Sequence, residues 1–453
     1  MSRKYNLVDP TDSSILTPVS LFSSYSDEIE VFISKLLDKK DGTVVSKIPD
    51  ILNGKATESL YDIIPELIRK KGGIFFTDSL ISERVSNRLA GQLKSGTRIA
   101  DACCGAGNLL ISCAQHLPIG NNLKETLDNW SNCIVGYDIH DQFVRATRLR
   151  LVVLAISRHL DSQQNISLTD ISQSFTRIRQ GDVFDHLNIL SDSDCIVANP
   201  PFGYTVAPKD CRWTSGKTQL AGIFIDELME AARSEQHIVA ILPDVLRSGT
   251  RYRRWRELVA SKSKSLHTEI VGQFDSQTEV DVFIMHAVKK DANEDGVRWP
   301  ESDLDSAGNN SKRTLSDLFE VRVGSVVPHR SNLEGPAYPY IHAGDLIEWG
   351  TLNRIVNRRE FAGTVFRPPF VTVRRTSGPK DKMRCIGTIV DIESAVAVEN
   401  HLLVLSPYDK SLNTCARLIE ILKCEATNNW FNKRIRCRHI TVSAMREFPW
   451  SAK

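Results

Sequence analysis

Apolar residues spaced three and four apart mark the first part of the chain. Ile29, Val31, Phe32, Leu36 and Leu37, then Leu60, Ile63, Ile64, Leu67 and Ile68, predict a small helical segment over 1–70. Beyond it the period changes. Short apolar runs at 98–100, 133–137, 195–198 and 237–242 read as buried strands, and helical patterns at 80–89, 146–156 and 224–232 fall between them. Strand and helix in alternation predict an α/β domain with a largely parallel sheet over 71–292, its last strand, 280–288, belonging to a terminal hairpin. The stretch 291–313 is polar and rich in Asp, Asn, Ser and Gly, and so predicts a linker, bounded at 293–313. Strand-like segments return at 315–324, 338–346, 370–375 and 394–405, which makes 314–453 a separate α+β domain.

With 453 residues, 41% of them hydrophobic, the chain can bury a large core and should hold two or three domains. A formal charge of +2 gives no overall bias toward nucleic acid, so that role has to come from local clusters. Ten cysteines without a Cys-x-x-Cys pair, and no basic region leading into an apolar one, suggest a reducing cytosol and no structural zinc. No apolar run is long enough to span a bilayer. In the first segment Pro49 and Asp50 are not followed by a clear Glu-x-Lys, so nothing there suggests a nuclease.

Candidate chemistry sits at the ends of the predicted strands, where parallel α/β sheets bind ligands. The run Cys195 to Ala198 opens into Asn199, Pro200, Pro201 and Phe202. Proline fixes φ and lacks an N–H, so the Asn199 side-chain oxygen and the Pro200 carbonyl can present two acceptors in a preset geometry, and Phe202 adds a flat apolar face. Two acceptors beside such a face suit the amino group of a planar base. Upstream, Asp101 to Gly107 (Asp, Ala, Cys, Cys, Gly, Ala, Gly) form a glycine-rich turn between strand and helix, where missing Cβ atoms let a ligand approach the backbone. Asp138 ends the next strand, placed to accept from both ribose hydroxyls of an adenosine. Thr77 follows Gly72, Gly73, Ile74, Phe75 and Phe76 and reads equally well as a helix N-cap.

Asn199 to Phe202 resembles the Asn-Pro-Pro-Tyr/Phe motif of S-adenosylmethionine-dependent methyltransferases that act on amino or amide nitrogen. Residues 101–107 resemble that family's Asp-Pro-Ala-Cys-Gly-Ser-Gly, with Ala102 for the proline and Cys103 for the alanine. Gly181, Asp182, Val183 and Phe184 match its third-strand motif, and Leu242 to Leu246 its Leu-Pro-x-x-x-Leu. The order along the chain, with a recognition domain after the catalytic one, resembles the N6-adenine DNA methyltransferases of restriction-modification systems. The resemblance implies a Rossmann-like doubly wound sheet and S-adenosyl-L-methionine as cofactor. Thr77, Asp101, Cys104, Gly105, Gly107, Asp138, Asp182 and Phe184 would bind it, Thr77 at the methionine end, Asp182 at the adenine amino group and Phe184 near its ring. Asn199, Pro200, Pro201 and Phe202 would be catalytic on a flipped-out adenine, without a metal or a covalent nucleophile. Phe283 is a candidate for the base's second face.

Residues 315–324, 338–346, 370–375, 394–405 and 439–449 are similar, more loosely, to target recognition domains of specificity subunits. Arg354, Arg358, Arg359, Arg367, Arg374, Arg375, Lys380, Lys382, Arg384, Lys433, Arg434, Arg436 and Arg438 make this region basic, and arginines can fork onto guanine or hold phosphates. The basic run from Arg247 to Arg256 reads instead as a solvated helix face. Double-stranded DNA is the implied partner. A separately encoded restriction endonuclease is compatible with it, and the implied location is the bacterial or archaeal cytoplasm, at the nucleoid. The same Asn-Pro-Pro-aromatic core occurs in enzymes that methylate RNA or a protein glutamine, and a DNA-specificity subunit with little activity of its own is the further alternative.

Overall fold

A computed structural model describes residues 18–38, 42–161, 166–275, 280–300, 313–328, 334–376, 382–434 and 440–450. They fall into two compact units, one comprising 1–247 and 251–300 and the other 248–250 and 301–453. Most of the linker expected over 293–313 lies outside the described residues, as do Lys380, Arg436, Arg438 and the side chain of Lys433.

The first unit is built on a seven-stranded sheet. Its strands are β1 (Ile99–Asp101), β2 (Ile134–Asp138), β3 (Ile178–Gln180), β4 (Cys195–Ala198), β7 (His237–Pro243), β8 (Ser263–Gln273) and β9 (Asp281–Lys289), while β5 (Tyr204–Val206) and β6 (Lys217–Gln219) form a separate hairpin. The order is β3-β2-β1-β4-β7-β9-β8. β1 pairs in parallel with both β2 and β4, β4 in parallel with β7, and only β9 runs antiparallel to its neighbours. The chain therefore leaves β1 in one direction for β2 and β3 and in the other for β4 and β7, which opens a crevice at the carboxyl ends of β1 and β4.

Alternate residues of one strand serve two cores. Cys195 and Val197 of β4, with Val239 and Ile241 of β7, face one helical layer, and Ile196, Ala198, Ile238, Ala240 and Leu242 face the other. This is why the central strands read as continuous apolar runs rather than alternating ones. Helices Leu220–Ala231 and Arg253–Ser261 cover the second face, and Trp255 donates its indole N–H to the Gly222 carbonyl at 2.9 Å. On the first face helix Asp141–Ser157 is apolar nearly all round, with every residue from Leu151 to Ile156 buried.

That helix needs a second partner, and the N-terminal helices provide it. Helix Ser23–Leu37 packs along it, and Phe22, Phe76 and Phe143 meet edge to face with ring centres 5.1 to 5.7 Å apart. The helices between residues 18 and 72 thus share a core with the sheet. Two local expectations change. The apolar pattern from Leu60 to Ile68 is broken, because Ile64 is extended before Pro65 and the chain forms two helices, Lys55–Ile63 and Glu66–Gly72, with Leu67 78% exposed. The residue capping helix Ser79–Asn87 is Asp78, whose carboxylate accepts from the Leu80 N–H, and Thr77 is left for another partner.

The second unit is α+β. Strands β10 (Phe319–Val323), β12 (Thr351–Leu352), β14 (Phe370–Arg374), β15 (Gly387–Val390) and β17 (Leu402–Pro407) form a sheet in the order β10-β17-β14-β15-β12. β13 (Arg358–Glu360), β11 (Ala337–Ile341) and β16 (Ala397–Val398) form a smaller one, so the segment 394–405 supplies strands to both sheets. Helix Leu412–Leu422 packs its buried Cys415, Leu418, Ile419 and Leu422 on β14 and β15. No described helix is long and apolar enough to cross a membrane.

Phe283 is fully buried in the second-face core of the first unit, against Trp299, and cannot reach a ligand from there. Phe283→Ala should cost about 3–5 kcal/mol of stability through lost burial and the cavity left behind. Urea unfolding would read this, and a loss below about 1 kcal/mol would contradict the core placement.

Candidate active site

The glycine-rich turn after β1 is held from below by the neighbouring strand. Cys104 donates its N–H to the Tyr137 carbonyl at 2.8 Å, and Gly107 donates to the Cys104 carbonyl at 2.8 Å. Gly107 has φ +88°, and a Cβ there would lie 2.7 Å from a Thr147 methyl group, so a side chain is excluded both by backbone conformation and by space. The Thr147 hydroxyl donates to the Gly105 carbonyl at 2.7 Å, tying the turn to helix Asp141–Ser157.

Asp138 at the end of β2 is pinned by backbone donors on both oxygens: Gly105 N–H at 2.9 Å and His140 N–H at 2.9 Å. Each oxygen keeps a lone pair, so the carboxylate can still accept from a ligand. Burial raises the Asp138 pKa, opposed by His140 and the two N–H groups, and burial lowers that of His140, which Asp138 opposes. Asp101, buried beneath the turn, is pushed up to about 7 by burial despite the Cys103 N–H at 3.1 Å. Burial also drives the Cys103 and Cys104 thiols far upward, so both are neutral at pH 7 and poor nucleophiles.

A cavity of about 110 Å³ occupies the crevice. Asp138, Ile139 and His140 from the end of β2, Gly181, Asp182 and Val183 after β3, and Gly105 with Cys103 after β1 line one part of it. Asn199 and Pro201 at the tip of β4 line the same cavity, as do Gly73 to Phe76, Phe143 and Phe224. The acidic strand end and the Asn-Pro-Pro tip therefore share one space. The loop closing it lies so near the tip that a Cβ on Gly73, whose φ is +64°, would sit 2.7 Å from the Pro201 Cβ.

The Asn199 amide is the distinctive group. Its Nδ2 donates to the Thr77 hydroxyl oxygen at 3.0 Å, while Oδ1 is sealed from solvent with no hydrogen-bond partner among the described residues. A buried acceptor left unpaired costs about 1–3 kcal/mol, which a donor entering the cavity would recover.

Of the residues singled out from sequence, Gly105, Asp138, Asp182, Asn199 and Pro201 reach the cavity. Thr77, Asp101 and Cys104 are buried, and with Gly107 they support the wall from behind. Pro200 is also buried. Phe184 does not line the cavity: it packs edge-on against Phe224, which does, while the Phe184 N–H donates to Asp182 at 3.0 Å. Phe202 lies edge-on to Phe274, with ring centres 5.3 Å apart. Sequence reasoning missed Ile139, His140, Phe143 and Phe224 as wall residues. The first three follow directly on an acidic strand end, which was a usable signal. Phe224 gave none, since its place depends on where a distant helix packs. In the second unit several basic residues are engaged internally. Arg358 donates to the Ala337 carbonyl, Arg375 to that of Asn400 and Arg384 to the Asn432 side chain, and Arg434 pairs with Glu447. In the first unit Arg247, half of whose expected role was a solvated face, instead forms a buried pair with Asp244.

Comparison with known proteins places this geometry. Residues 50–257 match the family model for N-6 DNA Methylase. No curated protein matches the chain. Solved structures similar to it include the type IIG restriction endonuclease BpuSI, at 15% identity and TM-score 0.45, covering 90% of this chain and 62% of that one. Others are the chain in a DrdV–DNA complex, at 12% and 0.44, covering 55% and 30%, and the M protein of the type I restriction enzyme EcoKI, at 11% and 0.35, covering 63% and 69%. The chain spans less than two thirds of the length of the first two. The matched segment contains the glycine-rich turn, Asp138, Asp182 and the Asn199 tip, and residues 50–257 thus belong to the N-6 DNA Methylase family.

Proposed function

We propose that the protein transfers a methyl group from S-adenosyl-L-methionine to the N6 amino group of an adenine rotated out of double-stranded DNA, within a restriction-modification or related defence system. The observation that carries this is the unpaired, buried Asn199 Oδ1 in the cavity that also holds Asp138 and Asp182. The pocket is narrow and largely apolar, with acceptors at separate points, which suits a nucleoside at one end and an amino group at the other.

When bound, S-adenosylmethionine supplies a methyl group already activated on a sulfonium. Asp138 would accept from its ribose hydroxyls and Asp182 from its adenine amino group, and the turn at Gly105 lets the ligand approach the backbone. At the other end, Asn199 Oδ1 and the Pro200 carbonyl would each accept one hydrogen of the target amino group. An exocyclic nitrogen is a weak nucleophile because its lone pair is delocalised into the ring. Holding both hydrogens favours a more tetrahedral nitrogen whose lone pair is free to attack, so Asn199 works by positioning and charge redistribution. Unstacking the base costs a few kcal/mol, and contact with Phe202 would offset part of it. The second unit, with its arginines, would read the DNA sequence, and a separately encoded nuclease would complete the system.

Asn199→Ala should keep donor and DNA binding but lower methylation about a hundred- to a thousandfold. The measurement is transfer of labelled methyl groups to unmethylated genomic DNA, followed by modified-base sequencing. Near-normal turnover would defeat the assignment of Asn199, and a methylcytosine product or none would turn the search to RNA or protein glutamine. Asp138→Ala should weaken donor binding about tenfold or more by calorimetry, because hydrogen bonds to a buried carboxylate are lost. Unchanged affinity would remove Asp138 from the cofactor site.

A further inference from the structure

Arg150 lies in the middle of helix Asp141–Ser157 and is fully buried, yet among the described residues no carboxylate pairs with it. Its charge is met by oxygens. Nε donates to the Ile51 carbonyl at 2.9 Å and Nη2 to the Leu52 carbonyl at 2.9 Å, both in the last turn of helix Ile48–Asn53, where a helix carries partial negative charge. On its other side Nη1 donates to the Ala106 carbonyl in the glycine-rich turn and to Asn108 Oδ1 at 2.6 Å. Asn108 then donates from Nδ2 to the Thr77 carbonyl at 2.5 Å, and the Thr77 hydroxyl accepts from Asn199 Nδ2 at 3.0 Å.

We infer that Arg150 and Asn108 are positioning residues which transmit the placement of the N-terminal helices, through Thr77, to the orientation of the Asn199 amide. This rests on Asn199 being the amide that meets the target amino group. Each link demands its residue type. Asn108 must accept from a guanidinium and donate to a carbonyl at once, which a carboxamide does and a carboxylate cannot. Arg150 must serve four acceptors lying on two sides, which the guanidinium fork allows and a single ammonium does not. With Nδ2 held by Thr77, Oδ1 is the atom left for the cavity.

Asn108→Asp separates this role from mere stability. The new carboxylate would keep, and strengthen, the contact to Arg150 but would have no proton for the Thr77 carbonyl. Expected are an unchanged or higher unfolding midpoint, near-normal dissociation constants for S-adenosylmethionine and for DNA, and a maximal methylation rate lower by about a hundredfold. Thr77→Val, which removes the acceptor for Asn199 Nδ2, should show the same split between rate and affinity. Arg150→Lys tests the first link and is scored by the same split if it folds. If the parent protein methylates DNA and Asn108→Asp and Thr77→Val both keep its maximal rate, the relay is overturned while the function stands. If the parent transfers no methyl group, the functional reading fails, and the relay is judged by crystallography of Asn108→Asp alone. An Asn199 amide still bonded to Thr77 as in the parent overturns it, and a rotated or released amide supports it.

Discussion

The constraint on which the first unit depends is the cost of removing polar atoms from water at the carboxyl ends of β1 and β4. Parallel pairing brings these ends together, and two helical layers bury them. Every polar group there must find a partner or remain unsatisfied at a cost of about 1–3 kcal/mol. Most find one: both Asp138 oxygens, Asp182, the Thr77 hydroxyl, the Asn108 amide and Arg150 are all bonded. Asn199 Oδ1 is the exception at the cavity wall. An unpaired acceptor surrounded by satisfied neighbours is cheap to keep only if something else bonds it in the working state.

Burial also sets the charge state of the crevice. Raised pKa values at Asp101 and Asp138 reflect the same desolvation that seals the cavity. The two do not act alike. Asp101 is closed beneath the turn and touches only its own backbone donor, so its carboxyl shapes the turn. Asp138 lines the open space and is held rigid by two N–H groups, so it presents its remaining lone pairs in a fixed direction. A carboxylate oriented in advance binds a ligand with less ordering cost than a free one.

How much of this was legible in the residues depended on how local the cause was. The strand at 195–198, its Asn-Pro-Pro tip and the glycine turn at 101–107 could be read directly, because proline, glycine and apolar runs act on their own backbone. The strand order and Rossmann-like class followed from alternation and from the resemblance of the motifs in sequence. Three features were hidden because they depend on residues far apart in the chain. The N-terminal helices looked like a separate segment, yet they fill the outer side of helix Asp141–Ser157, whose apolar run 151–156 was the one local sign that it needed covering on two sides. Phe283 looked available in an apolar strand, but the strand lies between two others in the sheet and its ring points into a core. Thr77 read equally as a cap or a ligand residue, and is neither a cap nor in the cavity wall: Asp78 takes the cap, and the freed hydroxyl goes to Asn199.

Arg150 shows why stability and site geometry are hard to separate in this unit. A buried guanidinium without a counter-ion is retained only where its hydrogen bonds are nearly complete, and its partners belong to three segments: the end of helix Ile48–Asn53, the glycine-rich turn and the start of helix Asn108–Ala114. Apolar packing alone could hold those segments together, but it is non-directional and would tolerate small slips between them. Hydrogen bonds with fixed directions do not. The same bonds that offset the desolvation of one cation therefore limit how far the turn, the Thr77 loop and the Asn199 tip can move against one another. A site that works by holding an amino group in line, rather than by acid, base or covalent chemistry, requires that restraint.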